Sequence, residues 1–387
     1  MTRFFFFWLI LNPFVLFSLQ VDLTAKAAIL INAETWVILY EKNGHLPLFP
    51  GSTTKIGTAL YALDGKRANL EKVVTVSQEA VRKKTASSNC PYHLETDGSM
   101  MGIAKGEMLT FEALLHGLLL VSGNDAANAI AEASSSTIPQ FMGELNGYLQ
   151  TLGCHNTRFQ NPHGYHDPQH ITTAFDLALM ARKAFQNPTF REIVSKTSYT
   201  VPATNKRSET KLKQYNGLVA QGKHHYPKSI GGKTGFHSHA GYCLVSAAAH
   251  DGRTLIAAVL GCPQNSDRYS DSRKLFETAF AEPLQTRRLA PIEQIYAKSI
   301  PGAKHDLRAA LTKDLCISYY PAEEPSVRAF IHWDLPSLPI AKGQKVGEIR
   351  VMDQREMLVL KEDLVAKEAV QPTFWFALKE RWNHFWR

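Results

Sequence analysis

Apolar and polar positions recur in short stretches along most of the chain. Residues 27–40 carry apolar side chains on both sides of Asn32-Ala33-Glu34-Thr35, which predicts two strands joined by a turn. Pro50-Gly51-Ser52 opens a helical stretch over 53–63. Residues 111–121 are apolar and of helical length, 126–133 form a second, small-residue helix, and 173–185 a further one. Residues 240–249 and 254–260 predict a strand pair, with Asp251-Gly252 at its turn. Strands thus flank a helix-rich centre, which predicts one α/β unit over residues 25–280.

After residue 282 the pattern changes. Short apolar runs at 295–300, 315–319, 327–333, 346–352 and 357–360 alternate with turn residues, which predicts a small all-β domain over 282–368. The two ends differ again. Residues 1–20 start with Thr2-Arg3 and continue as an apolar stretch, the pattern of an export signal. At the other end, residues 370–387 predict an amphipathic helix. Advancing 100° per residue places Trp375, Leu378, Trp382, Phe385 and Trp386 in one arc of about 120°. Phe376 is the large apolar side chain outside that arc. Such a helix is too short to span a bilayer, but its Trp and basic residues suit the headgroup plane.

Composition narrows the picture. With 387 residues, 44% of them apolar and 20% charged, the chain is neither disordered nor fibrous. Only its N-terminus carries a long apolar run, which excludes a polytopic membrane protein. A net charge of +8 suits an anionic surface such as lipid or wall polymer. The five cysteines form no Cys-x-x-Cys pair, so neither a zinc site nor a disulfide framework is indicated. His224 and His225 lack a third ligand at suitable spacing and read as part of a solvated loop.

Three short motifs carry candidate chemistry. In Ser52-Thr53-Thr54-Lys55, a hydroxyl and an amine share one helical face. The amine can take the hydroxyl proton only when uncharged, which burial and a second cation favour. Ser122-Gly123-Asn124 sits at the break between two predicted helices, and Lys233-Thr234-Gly235 shortly precedes the strand pair. Each motif alone is weak. Ser208-Glu209-Thr210-Lys211 repeats the first spacing and Ser87-Ser88-Asn89 the second.

The order S-x-x-K, S-x-N, K-T-G is that of serine acyl-enzymes acting on penicillin-like substrates. The flanking stretches 49–55, 118–128, 161–164, 172–178, 232–236 and 240–245 resemble the D-alanyl-D-alanine carboxypeptidases, the low-molecular-mass penicillin-binding proteins of the serine peptidases. The resemblance runs from about residue 25 to the end. It implies an α/β fold with a β-lactamase/transpeptidase-like domain (an antiparallel sheet flanked by helices plus an all-helical subdomain). A small all-β domain and a C-terminal amphipathic helix would follow.

The resemblance also implies roles. Ser52 would attack the penultimate D-Ala carbonyl, Lys55 would take its proton, and Ser122 would relay a proton to the leaving D-Ala. Asn124, Lys233 and Thr234 would hold substrate, with Lys233 also keeping Lys55 uncharged. Gly235 would let substrate lie close, and the N–H groups of Ser52 and Phe236 would form the oxyanion hole. The expected partners are the peptidoglycan stem peptide, β-lactams as covalent inhibitors and the periplasmic face of the cytoplasmic membrane, with no nucleic acid, cofactor or metal. Some members place an Arg ahead of Asn-Gly-Leu where this chain has Tyr215, which leaves Lys233, Thr234 or Ser238 for the substrate carboxylate. Gly51 in place of the usual Ala is expected to matter little. The stretch 157–164 lacks an acidic residue, which implies slow β-lactam turnover. The competing readings are a DD-endopeptidase on cross-linked stems and a non-catalytic wall-binding scaffold.

Overall fold

A computed structural model describes residues 19–64, 69–88 and 90–385. The export segment expected at 1–20 therefore lies almost wholly outside the described residues. The chain divides into two compact units, one ending at Ala281 and the other beginning at Glu282.

The first unit begins with β1 (Ala27–Asn32), β2 (Ile38–Lys42), a 3-10 turn (Gly51–Thr54), α1 (Lys55–Ala62), β3 (Val73–Thr75) and β4 (Met108–Thr110). It continues with α2 (Phe111–Leu120), α3 (Asn124–Ser135), α4 (Ile138–Thr151), α5 (Ala174–Ala184) and α6 (Pro188–Ser195). Strands β5 (Ser198–Val201), β6 (Thr210–Lys213), β7 (Ser229–His237), β8 (Gly241–His250) and β9 (Arg253–Cys262) precede α7 (Asn265–Phe280). The main sheet is antiparallel with the order β2-β1-β9-β8-β7, which puts the Lys-Thr-Gly strand β7 on an edge. β9 is buried along nearly its whole length, as its unbroken apolar sequence requires.

Local chemistry sets the helix starts. Thr110, Thr137 and Thr173 each accept a backbone N–H of the following turn and so cap α2, α4 and α5. α2 and α3 are separated where Ser122 takes a positive φ of 61°. Every residue of α1 is buried, so its N-terminal turn delivers polar side chains into the interior rather than to solvent. The expected helix over 53–63 is thus two pieces, with Ser52 in the 3-10 turn and Lys55 opening the α-helix.

The second unit contains β10 (Gln285–Ala290), β11 (Tyr296–Lys298), β12 (Leu307–Leu311), β13 (Leu315–Tyr319), β14 (Arg328–Trp333), β15 (Lys345–Met352), β16 (Leu358–Ala366) and α8 (Phe374–Phe385). Its five-stranded sheet has the order β11-β12-β16-β15-β14, and β10 pairs with β13. Leu307, Ile340, Val346, Val351, Leu364 and Val370 form its core. In α8, Phe376 packs against Gly302, where any Cβ would meet its ring. Phe374, Trp375, Leu378 and Trp382 stay exposed, the last at 67%. Among the described residues, no helix is long and apolar enough to cross a membrane.

Candidate active site

The three motifs meet in one cleft of about 680 Å³, lined by Ser52, Ser122, Asn124, Thr234, Gly235 and Phe236 among others. Their elements are distant in sequence: the 3-10 turn, the α2–α3 break and the edge strand β7. In a 3-10 turn, residues i and i+3 eclipse. Lys55 Nζ accordingly lies 2.8 Å from Ser52 Oγ. It also lies 2.7 Å from Asn124 Oδ1 and 2.6 Å from the His163 carbonyl oxygen.

These neighbours determine the proton's direction. Asn124 Oδ1 and the His163 carbonyl can only accept, so each takes one N–H of an uncharged amine. The remaining lone pair faces Ser52, whose hydroxyl can donate. Lys55 is fully buried, and that burial holds its pKa well below the ordinary lysine value, with Lys233 adding to the effect. The His163 carbonyl has no side-chain signature, so motif reading passes over it. It is held in place because Thr58 Oγ1 donates to Pro162 O and Asn161 Oδ1 accepts Gly164 N–H.

Ser122 Oγ accepts from Lys233 Nζ at 2.9 Å, and Lys233 also donates to the Thr234 carbonyl. Burial, then the charge of Arg268, brings the Lys233 pKa down to about 7. Lys233 therefore carries only part of a charge at neutral pH.

Arg268 of α7 supplies a lasting positive charge at the cleft. Its guanidinium donates to Gly235 O and the Tyr269 hydroxyl and sits over the Tyr242 ring, 5.4 Å from its centroid. Its Nε is buried and makes no hydrogen bond. The sequence reading did not find Arg268, because 265–280 is mostly polar and shows no apolar run. Ser238 also lines the cleft, as does the half-exposed Tyr215.

The backbones expected to supply the oxyanion donors lie in close approach. A Cβ on Gly235 would stand 3.0 Å from Ser52 N, and one on Gly51 would stand 2.8 Å from Phe236 N. Gly51 also has a φ of 54°, which L side chains adopt at a cost. The expectation that Gly51 matters little is therefore corrected: here it lets the nucleophile turn lie against β7. The duplicate motifs lie elsewhere. Ser208 and Lys211 are exposed on and before β6, and Ser87 is exposed, while Asn89 falls outside the described residues.

A family model described as D-alanyl-D-alanine carboxypeptidase matches residues 16–264. The chain is 29% identical over 371 residues to the D-alanyl-D-alanine carboxypeptidase DacF of Bacillus subtilis (strain 168), spanning 94% of this chain and 90% of that one. It is 33% identical over 261 residues to the D-alanyl-D-alanine carboxypeptidase of Streptomyces sp. (strain K15), spanning 65% and 85%. Among solved structures, penicillin binding protein 5 from Haemophilus influenzae matches with a TM-score of 0.62 at 27% identity, over 91% of this chain and 99% of that one.

Proposed function

The chain belongs to the D-alanyl-D-alanine carboxypeptidase family of serine peptidases, and from that membership we propose that it removes the terminal D-Ala of peptidoglycan stem pentapeptides through an acyl-enzyme on Ser52. The observation that supports this most is the position of the fully buried Lys55, whose Nζ lies 2.8 Å from Ser52 Oγ and whose burial holds its pKa well below the ordinary lysine value.

The Ser52 hydroxyl proton passes to Lys55 Nζ as Oγ bonds to the carbonyl carbon of the penultimate D-Ala. The N–H groups of Ser52 and Phe236 receive the negative oxygen, and such preorganised donors are worth about 3–4 kcal/mol each. The C–N bond then breaks. The proton held by Lys55 passes by way of the Ser122 hydroxyl, which Lys233 orients, to the departing D-Ala amine, and Lys55 is uncharged again. Water enters, gives a proton to Lys55 and attacks the ester. Ser52 regains its proton and the shortened peptide leaves. Thr234, Lys233 and Arg268 would hold the terminal carboxylate, and Arg268 thereby supplies the cation that Tyr215 cannot.

β-Lactams would acylate the same hydroxyl. The 157–164 stretch, whose His163 carbonyl touches Lys55, brings no carboxylate to activate water, so the adduct would persist. Residues 1–20 would export the chain. Helix α8, docked through Phe376 with Trp375 and Trp382 outward, would then hold it on the outer face of the cytoplasmic membrane.

The test is intact-mass measurement after mixing with benzylpenicillin, beside an assay of D-Ala release from a pentapeptide. One penicilloyl group on the wild type and none on Ser52→Ala, together with released D-Ala, is the expected result. An unmodified wild type that releases no D-Ala would refute the assignment.

A further inference from the structure

Outside the cleft, Glu79, Cys90 and His93 offer a carboxylate oxygen, a sulfur and a ring nitrogen that all lie within 4.8 Å of one another. His93 N–H donates to the Cys90 carbonyl, closing a turn that keeps two of the three donors together. Sulfur, nitrogen and oxygen donors in such a set suit zinc.

The surroundings orient each donor. Ser88 Oγ lies 2.5 Å from His93 Nδ1. His93 Nε2 lies 3.1 Å from Glu79 Oε1, a contact that a ring N–H closes without metal; in the other tautomer, with the Nδ1 proton directed to Ser88, both atoms become donors for one ion. Arg82 holds the other carboxylate oxygen, Oε2, at 3.0 Å, so Oε1, the oxygen that meets His93 Nε2, is the one turned toward the other two donors. Metal ligands are usually fixed by outer partners of this kind.

We propose that Glu79, Cys90 and His93 bind one zinc ion, with the Cys90 thiol proton released on binding and solvent completing the coordination. The charges of thiolate and carboxylate then cancel that of the ion. A second trio, His166, His237 and His239, is less suited. The His166 and His239 rings stack in parallel at 4.0 Å, so their in-plane lone pairs do not converge, and His237 Nδ1 already accepts Ala240 N–H.

The proposed site would reach the general base. The Tyr92 carbonyl, between the two local ligands, accepts from Asn128 Nδ2 at 2.9 Å and from His163 Nε2 at 3.3 Å. The His163 carbonyl in turn holds Lys55. A zinc ion at Cys90 and His93 would fix this path and the neighbouring Asp97, Gly98 and Ser99, which line the cleft.

The test uses the full chain in a Cys316→Ser background, since Cys316 is the other cysteine that is not buried. Zinc chloride is titrated calorimetrically, and alkylation of Cys90 is followed with and without zinc. Binding of one equivalent is expected, with at least tenfold slower Cys90 alkylation that a chelator reverses. Cys90→Ser and His93→Ala should each weaken binding at least tenfold while still forming the penicilloyl adduct, which shows that they fold. His166→Ala should bind zinc like its parent. Absence of binding, zinc-insensitive alkylation, unchanged affinity in both ligand variants, or loss of affinity in His166→Ala would each overturn the proposal.

Discussion

Residues 52–55 and 208–211 have the same Ser-x-x-Lys spacing and opposite fates. The first pair lies in a 3-10 turn that runs into a buried helix, where positions i and i+3 eclipse. The second lies on extended chain leading into β6, where such positions point to opposite faces and both side chains are exposed. Spacing therefore carries no chemistry until the backbone aligns the two groups and burial removes the charge from the amine.

The sharpest way to break the comparison is to exchange the two serines' importance. Ser52→Ala should lower D-Ala release by roughly 10⁴-fold or more, since the covalent route is lost. Ser208→Ala should leave release unchanged. Equal losses in a pentapeptide assay would show that the motif location has been misread.

A smaller but large effect is expected at Gly51. Gly51→Ala forces a side chain into the left-handed region at about 1–2 kcal/mol and drives Cβ toward Phe236 N. Penicillin acylation, followed by stopped-flow fluorescence, should slow roughly 10²-fold through a displaced oxyanion donor. Wild-type acylation in this variant would mean that the turn can retreat from β7 without cost.

Much of this arrangement was legible beforehand. The β1–β2 hairpin, α2, α5, the β8–β9 pair and the placement of Ser122 between helices all follow from period and punctuation. What was hidden has a physical reason in each case. A 3-10 turn and an α-helix share their first residues' pattern, so the break at Lys55 left no sign. The His163 carbonyl belongs to the backbone, which sequence does not distinguish. Helix α7 is mostly polar because charged and hydroxyl residues, Arg268, Asp271 and Ser272, occupy its buried face as well, and Arg268 was lost with it. A search for paired cysteines also passes over Cys90 and His93.

Arg268 gives the next effect in size. Arg268→Met should lower kcat/KM about 10- to 100-fold, mostly through KM, the expected loss for a charged hydrogen bond to the carboxylate. A change confined to kcat would move Arg268 out of substrate binding.

The smallest expected effect is in the pH profile. The free-enzyme Lys233 pKa is brought down to about 7, so its charge fades as pH rises through neutrality. kcat/KM should fall a few-fold above about pH 7, and Lys233→Arg, which stays charged, should lack that limb. An unchanged limb in the variant would assign it to another group.

The central claim is that Lys55 is uncharged beside Ser52 at neutral pH. NMR of protein carrying carbon-13 at the lysine ε position tests it, with the Lys55 signal assigned by its loss in Lys55→Arg. The account predicts a neutral-amine shift at pH 7 that becomes cationic as the pH is lowered. A cationic signal that titrates near the ordinary lysine value would contradict it.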